Sequence, residues 1–176
     1  LPSDRPGLVV QSASFEQSIH SSLSCTDCHE GIDELPHSEK LGKVNCGSCH
    51  SDVQETYVKS IHGISRQTQE SHQEKAEAAT CVSCHGYHDI LPASDPKSKV
   101  HHHNLATTCI TCHQDEALMH RHSIDSSTKV TSYVFSIHGQ ANLHDPDSKA
   151  ATCNNCHGWH DIQPAHSAES SVSREK

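Results

Sequence analysis

Five copies of one short pattern carry the chemistry of this chain. Cys25, Cys28 and His29 form the first, Cys46, Cys49 and His50 the second, and Cys81, Cys84 and His85 the third. Cys109, Cys112 and His113 form the fourth, and Cys153, Cys156 and His157 the fifth, so all ten cysteines are used. C-x-x-C-H is the attachment signature of a c-type haem: the two thiols take the porphyrin vinyls as thioethers and the next residue places an imidazole on the iron. Cys25, Cys28, Cys46 and Cys49 alone have a zinc-site spacing, but five pairs cannot be matched two by two. A disulfide framework gives no reason for a histidine after every second cysteine. The expected cofactors are five covalent c-type haems.

Each iron needs a second axial ligand. With one methionine, Met119, at most one haem can be His/Met, and the 19 histidines less the five in motifs leave 14 candidates. Low-potential bis-histidine ligation is expected. An internal repeat narrows the choice. Tyr57 to Gly63 recurs as Tyr133 to Gly139, and 79–93 recurs as 151–165 with 11 of 15 identities. His20, His62 and His138 each close a Ser-Ile-His element, while His88 and His160 each follow a motif histidine by three residues. These five match the five vacancies. Three residues reach at most about 10 Å, too little to round a porphyrin, so His88 and His160 should serve a neighbouring haem. His37 is the best substitute ligand, followed by His101, His102 or His103, whereas His72, His120, His122, His144 and His166 read as solvated or supporting. Tyr87 and Trp159 are expected to pack on porphyrin. Asp89 and Asp161 are expected to orient a ligand imidazole or to cap a helix.

The elements that must hold these groups have little apolar material to work with. Only 32% of the 176 residues are hydrophobic and 3% aromatic, so a protein-only core would be thin and porphyrin surface must supply the interior. The predicted fold class is mainly irregular with short α-helices and little or no β, wrapped round a chain of haems. Residues 67–80 read as a helix, and 38–44 as a short helix or turn. The whole of 1–176 reads as one pentahaem domain of repeats: 15–52 with haems 1 and 2, 57–115 with haems 3 and 4, and 133–165 with haem 5 in an incomplete unit. Residues 166–176 read as a flexible Ser-rich tail.

Thirteen Lys and Arg against 22 Asp and Glu give a formal charge of −9, the wrong sign for a nucleic-acid partner. Five haems would take this to about −14 oxidised and −19 reduced, favouring cationic partner patches. No apolar run approaches the ~20 residues of a membrane span. The start at Leu1 is compatible with a mature chain whose targeting segment has been removed.

With its doubled C-x-x-C-H motifs and the phrase Cys84-His85-Gly86-Tyr87-His88-Asp89-Ile90, the chain resembles the multihaem c-type cytochromes of metal-reducing and sulfate-reducing prokaryotes. The resemblance implies a non-enzymatic, bis-histidine electron conduit, exported to the periplasm or the cell surface. Its partners would be redox proteins or extracellular electron acceptors. Because the third unit is unfinished, head-to-tail polymerisation into a conductive filament is a further expectation. The competing readings are a soluble periplasmic carrier and a reductase of nitrogen or sulfur oxyanions with one open haem.

Overall fold

The computed structural model describes residues 10, 12–32, 42–68, 77–125 and 127–173. Among them the chain is helical and irregular, with no strand. In order come α1 (Ser12–Glu16), α2 (Cys25–Cys28), a 3₁₀ turn (Cys46–Ser48), α3 (Ser51–Lys59) and α4 (Ile61–Thr68). Then follow α5 (Cys81–His85), α6 (His102–His113), α7 (Glu116–Arg121), α8 (Ser127–Val134), α9 (Ile137–His144) and α10 (Cys153–His157). Most of the helix expected over 67–80 lies outside the described residues; α4 ends at Thr68. Of 38–44, residues 42–44 are irregular and the rest lie outside the described residues.

The thin core expected from composition is what the fold shows. Among the described residues the buried apolar ones are Ala78, Val100, Leu105, Ala106 and Met119, accompanied by buried Ser18, Ser60, Ser98, Asn142, Thr152, Ser170 and Ser173. The chain exposes 12694 Å². A compact protein of 19.2 kDa exposes roughly 8,400 Å².

Two local devices recur. The first is the Tyr-x-x-Ser-Ile-His-Gly corner. Ser60 Oγ donates to the Tyr57 carbonyl at 2.7 Å and accepts from the Gly63 amide at 3.2 Å; Ser136 repeats this with Tyr133 and Gly139 at 2.7 and 3.1 Å. The serine thereby caps the second helix of the corner while its C=O-bound hydroxyl ends the first. A Cβ on either glycine would lie 2.1 Å from the Tyr57 or Tyr133 oxygen, so the corner admits only glycine there. The tyrosine hydroxyls then donate forward to the Ala79 and Ala151 carbonyls at 2.7 and 3.2 Å, tying each corner to the motif beyond it.

The second device is the motif helix itself. In α2, α5 and α10 the residue before the first cysteine is Ser24, Thr80 or Thr152. Its amide donates to the side chain of Asp27, Ser83 or Asn155 at 2.7, 3.0 or 2.8 Å. This reciprocal cap makes a helix of four or five residues viable where propensity could not. The other two motifs are housed differently. Cys46 opens the 3₁₀ turn, where Asn45 Oδ1 accepts from the Gly47 amide at 3.1 Å, and Cys109 and Cys112 ride inside α6.

Over its described part the Ser-rich tail is a run of hydrogen-bonded turns. Its amides at Ser167, Ser170 and Ser173 donate to the carbonyls of Pro164, Ser167 and Ser170. The same ladder runs from Pro92 through Asp95 and Ser98 to His101. Ser170 and Ser173 are buried, and the Ser171 hydroxyl donates to the Cys156 carbonyl. Small hydroxyl side chains can satisfy the backbone of their own turns.

Candidate haem-binding sites

After each of the third and fifth motifs a glycine reverses the chain: Gly86 at φ +90° and Gly158 at φ +83°. Asp89 Oδ1 accepts from the Tyr87 amide at 3.3 Å, and Asp161 Oδ1 from the Trp159 amide at 3.1 Å. The two aspartates therefore hold the backbone of the turn, where an imidazole contact or a helix cap was expected. A Cβ on the glycines would come within 2.7 and 2.6 Å of these carboxylates. The turn throws His88 and His160 away from their own motifs. Tyr87 and Trp159 remain 69% and 57% exposed.

Four pairs of imidazoles result. His29 faces His88, His20 faces His50 and His85 faces His160, each with ring centroids 6.0 Å apart; His62 faces His113 at 6.1 Å. A metal bound between two imidazole nitrogens at about 2.0 Å each, with about 1.1 Å from nitrogen to ring centre, needs centroids ~6 Å apart. Four pairs joined by different lengths of chain repeat that value to within 0.1 Å. Among the described residues no three of His, Cys, Asp and Glu converge as a zinc cluster would. The donor set instead consists of facing imidazoles with a C-x-x-C pair beside one of each, which fits a porphyrin iron.

The pairing obeys a rule that sequence did not reveal. The Ser-Ile-His histidine reaches the second motif of its own unit, His20 to His50 and His62 to His113. The histidine three past a motif reaches back to the first motif of the preceding unit, His88 to His29 and His160 to His85. Each crossing is fastened by backbone: the Ile19 amide donates to the Ile90 carbonyl at 2.9 Å, and the Ile61 amide to the Ile162 carbonyl at 2.8 Å. Gln163 adds a bond to the Lys59 carbonyl at the second crossing.

Burial favours the neutral form of His62, His85 and His113, which is the form a metal requires. Desolvation and the facing His113 bring His62 down to about 4. Burial, then the His160 imidazole, lowers His85; burial, then His157, lowers His113. The thiols report which motifs adjoin. Burial and then the neighbouring Cys81 thiol push Cys46 up. Burial and then Cys112 push Cys84 up, and a hydrogen bond shared with Cys153 raises Cys109. Burial, with Asp27 and then Cys46 adding to it, raises Cys28. The motifs thus neighbour one another in sequence order, first to fifth.

The structure leaves two of the expected ligands unmatched. Neither His138 nor His157 faces another ring among the described residues, and both are exposed. His37 and His72 lie outside the described residues. Of the substitutes, His101 Nδ1 accepts from the His103 amide at 3.3 Å, and His102 Nε2 donates to the Ala150 carbonyl at 3.0 Å, far along the chain. His122 meets Glu77 at 3.2 Å, beside the Arg121–Glu77 ion pair. Met119 belongs to the small apolar core. Among the described residues no helix is long and apolar enough to cross a membrane.

Residues 17–100 match the family described as Cytochrome c3. No curated protein and no solved structure matches the chain. The match spans the first three motifs with His20, His62 and His88. It supports a multihaem c-type cytochrome, an electron carrier working through covalently bound haem, of a family typically found in the periplasm.

Proposed function

We propose that this chain is a conduit that passes electrons along five covalent c-type haems set in a row in motif order, outside the cytoplasm. The cysteine pairs from Cys25 to Cys156 attach the five porphyrins, and His29, His50, His85, His113 and His157 each hold one iron. His88, His20, His160 and His62 close the first four. The carrying observation is the set of crossed imidazole pairs at 6.0–6.1 Å, which join one unit to the next through the irons themselves. The adjacency of Cys46 with Cys81 and of Cys109 with Cys153 supports edge-to-edge porphyrins between units. Intact mass and haem absorbance of the exported protein should give five haems per chain, with low-spin ferric spectra dominating. Fewer haems, or bound zinc, would overturn the reading.

Head-to-tail filament formation is the finer reading. Ile61 is clamped in a crossing, whereas its counterpart Ile137 is 85% exposed and Phe135 beside it 77%. An exposed copy of an internal contact surface is where a heterologous, non-closing association would form. Electron microscopy of the haem-loaded protein decides it: filaments support that association, and compact single particles leave a soluble carrier.

A further inference from the structure

The second and third units follow their first motif with the same ladder of turns and load it with opposite charge. The amides of Asp95, Ser98 and His101 repeat as those of Ser167, Ser170 and Ser173, each donating to the carbonyl three residues back. The register is therefore fixed: Lys97 corresponds to Glu169, Ser98 to Ser170 and Lys99 to Ser171. With histidines neutral, the side chains from Pro92 to His101 carry a net +1 and those from Pro164 to Ser173 a net −1.

Backbone bonds bring Lys99 to the third motif. Its carbonyl accepts from Thr108 Oγ1 at 2.6 Å, one residue before Cys109, and buried Ser98 and Val100 flank it. Lys99 itself is exposed, and its Nζ stands at the end of α5, 3.8 Å from where a Cβ on Gly86 would lie. The ammonium favours the thiolate of Cys84, against burial and the neighbouring Cys112. Asp89 Oδ1 lies 2.7 Å from the same Cβ position, but Asp161 Oδ1 repeats that contact at Gly158 at 2.6 Å, so the aspartate is common to both units. The counterpart of the lysine is not: the Ser171 hydroxyl is uncharged and donates to the Cys156 carbonyl.

We propose that Lys99 sets a redox potential: its ammonium, held at the end of α5, makes the haem on Cys81 and Cys84 easier to reduce. This rests on the five-haem reading above. The electron added on reduction lowers the charge of an iron porphyrin by one, and a fixed cation nearby favours that form. Removing the cation should leave ligation intact and lower the potential. Serine is the replacement that the third unit already carries.

The test uses the holo-protein. Haem in the native chain is counted first by intact mass; a count below five overturns the functional reading itself, before any potential is read. With five present, haem absorbance is titrated against applied potential at low ionic strength for the native chain, Lys99→Arg, Lys99→Ser and Lys99→Glu. One component of the five should hold its place in Lys99→Arg, fall in Lys99→Ser and fall further in Lys99→Glu, while the low-spin spectrum stays constant. The haem-methyl NMR signals that follow this component should belong to the haem on Cys81 and Cys84. Added salt should shrink the shift, because the lysine is exposed. No shift in Lys99→Ser and Lys99→Glu overturns the proposal. An equal fall in all five components also overturns it, since net charge alone would give that. So does a fall in Lys99→Arg that matches Lys99→Ser, which would mark a packing role, or a shift that resides on another haem.

Discussion

The second and third units are near copies in sequence and differ in what they touch. Tyr57 to Gly63 and Tyr133 to Gly139 build the same corner, with serine bonds that agree within 0.1 Å. Yet His62 is half-buried against His113 with its pKa lowered to about 4, while His138 is exposed. Ser60 is 1% exposed, and Ile61 lies in a crossing where Ile137 is 85% exposed. The difference teaches that the corner is a local object, self-sufficient in hydrogen bonds, and that ligation is a property of the neighbour it meets. The third unit has instead its own brace: Asn142 Nδ2 donates to Tyr133 OH and to the Ala150 and Ala151 carbonyls at 3.1–3.2 Å.

The largest contrast should come from removing one haem in the middle and one at the end. Cys81→Ala with Cys84→Ala takes away the porphyrin between two crossings, so folded protein should scarcely accumulate, because the apolar residues present cannot close the interior alone. Cys153→Ala with Cys156→Ala should give a folded chain with one haem fewer. Equal yields and equal melting by circular dichroism would break the comparison.

Gly63→Ala and Gly139→Ala come next. Both force a Cβ onto a carbonyl oxygen 2.1 Å away, and overpacking of that kind costs about 1–3 kcal/mol. Denaturant titration should show similar losses for the two. Only Gly63→Ala should alter the haem spectrum, since His62 moves with the displaced corner relative to an iron and His138 does not. A spectral change in Gly139→Ala would show that His138 is a ligand after all.

The smallest effect sharpens the comparison. Ser60→Ala leaves the buried Gly63 amide without its acceptor and should cost about 1–2 kcal/mol. Ser136→Ala, at a half-buried corner that water reaches, should cost about 1 kcal/mol or less. Reversal of that order would mean that the third corner is covered in solution.

How much of this could be read beforehand divides by residue. The five C-x-x-C-H motifs could be singled out as candidate haem sites, because the pattern is contiguous and its spacing suits a porphyrin edge. The absence of strands among the described residues was legible too, since no period-2 pattern competes with the motifs. The reciprocal caps at Ser24, Thr80 and Thr152 were also present in the sequence as a polar residue three positions on, a signal that the cysteine spacing overshadowed. The role of Asp89 and Asp161 was not legible, because a carboxylate two residues past an amide and one beside an imidazole look alike in one dimension. The tail after Pro164 matched the run after Pro92 in its turns more than in its letters.

By itself, the sequence marked out ten thiols and five adjacent imidazoles as candidates for porphyrin attachment, since each set lies within five consecutive residues. It also determined that the interior had to come largely from something other than aliphatic side chains. Which histidine faces which motif was decided by tertiary structure alone. His20 meets His50 across a span of chain, and His160 meets His85 across two turns and a crossing. Such meetings depend on where the Ile90 and Ile162 carbonyls fall against the Ile19 and Ile61 amides. A contact between distant segments is fixed by the sum of the turns between them, and no local pattern carries that sum.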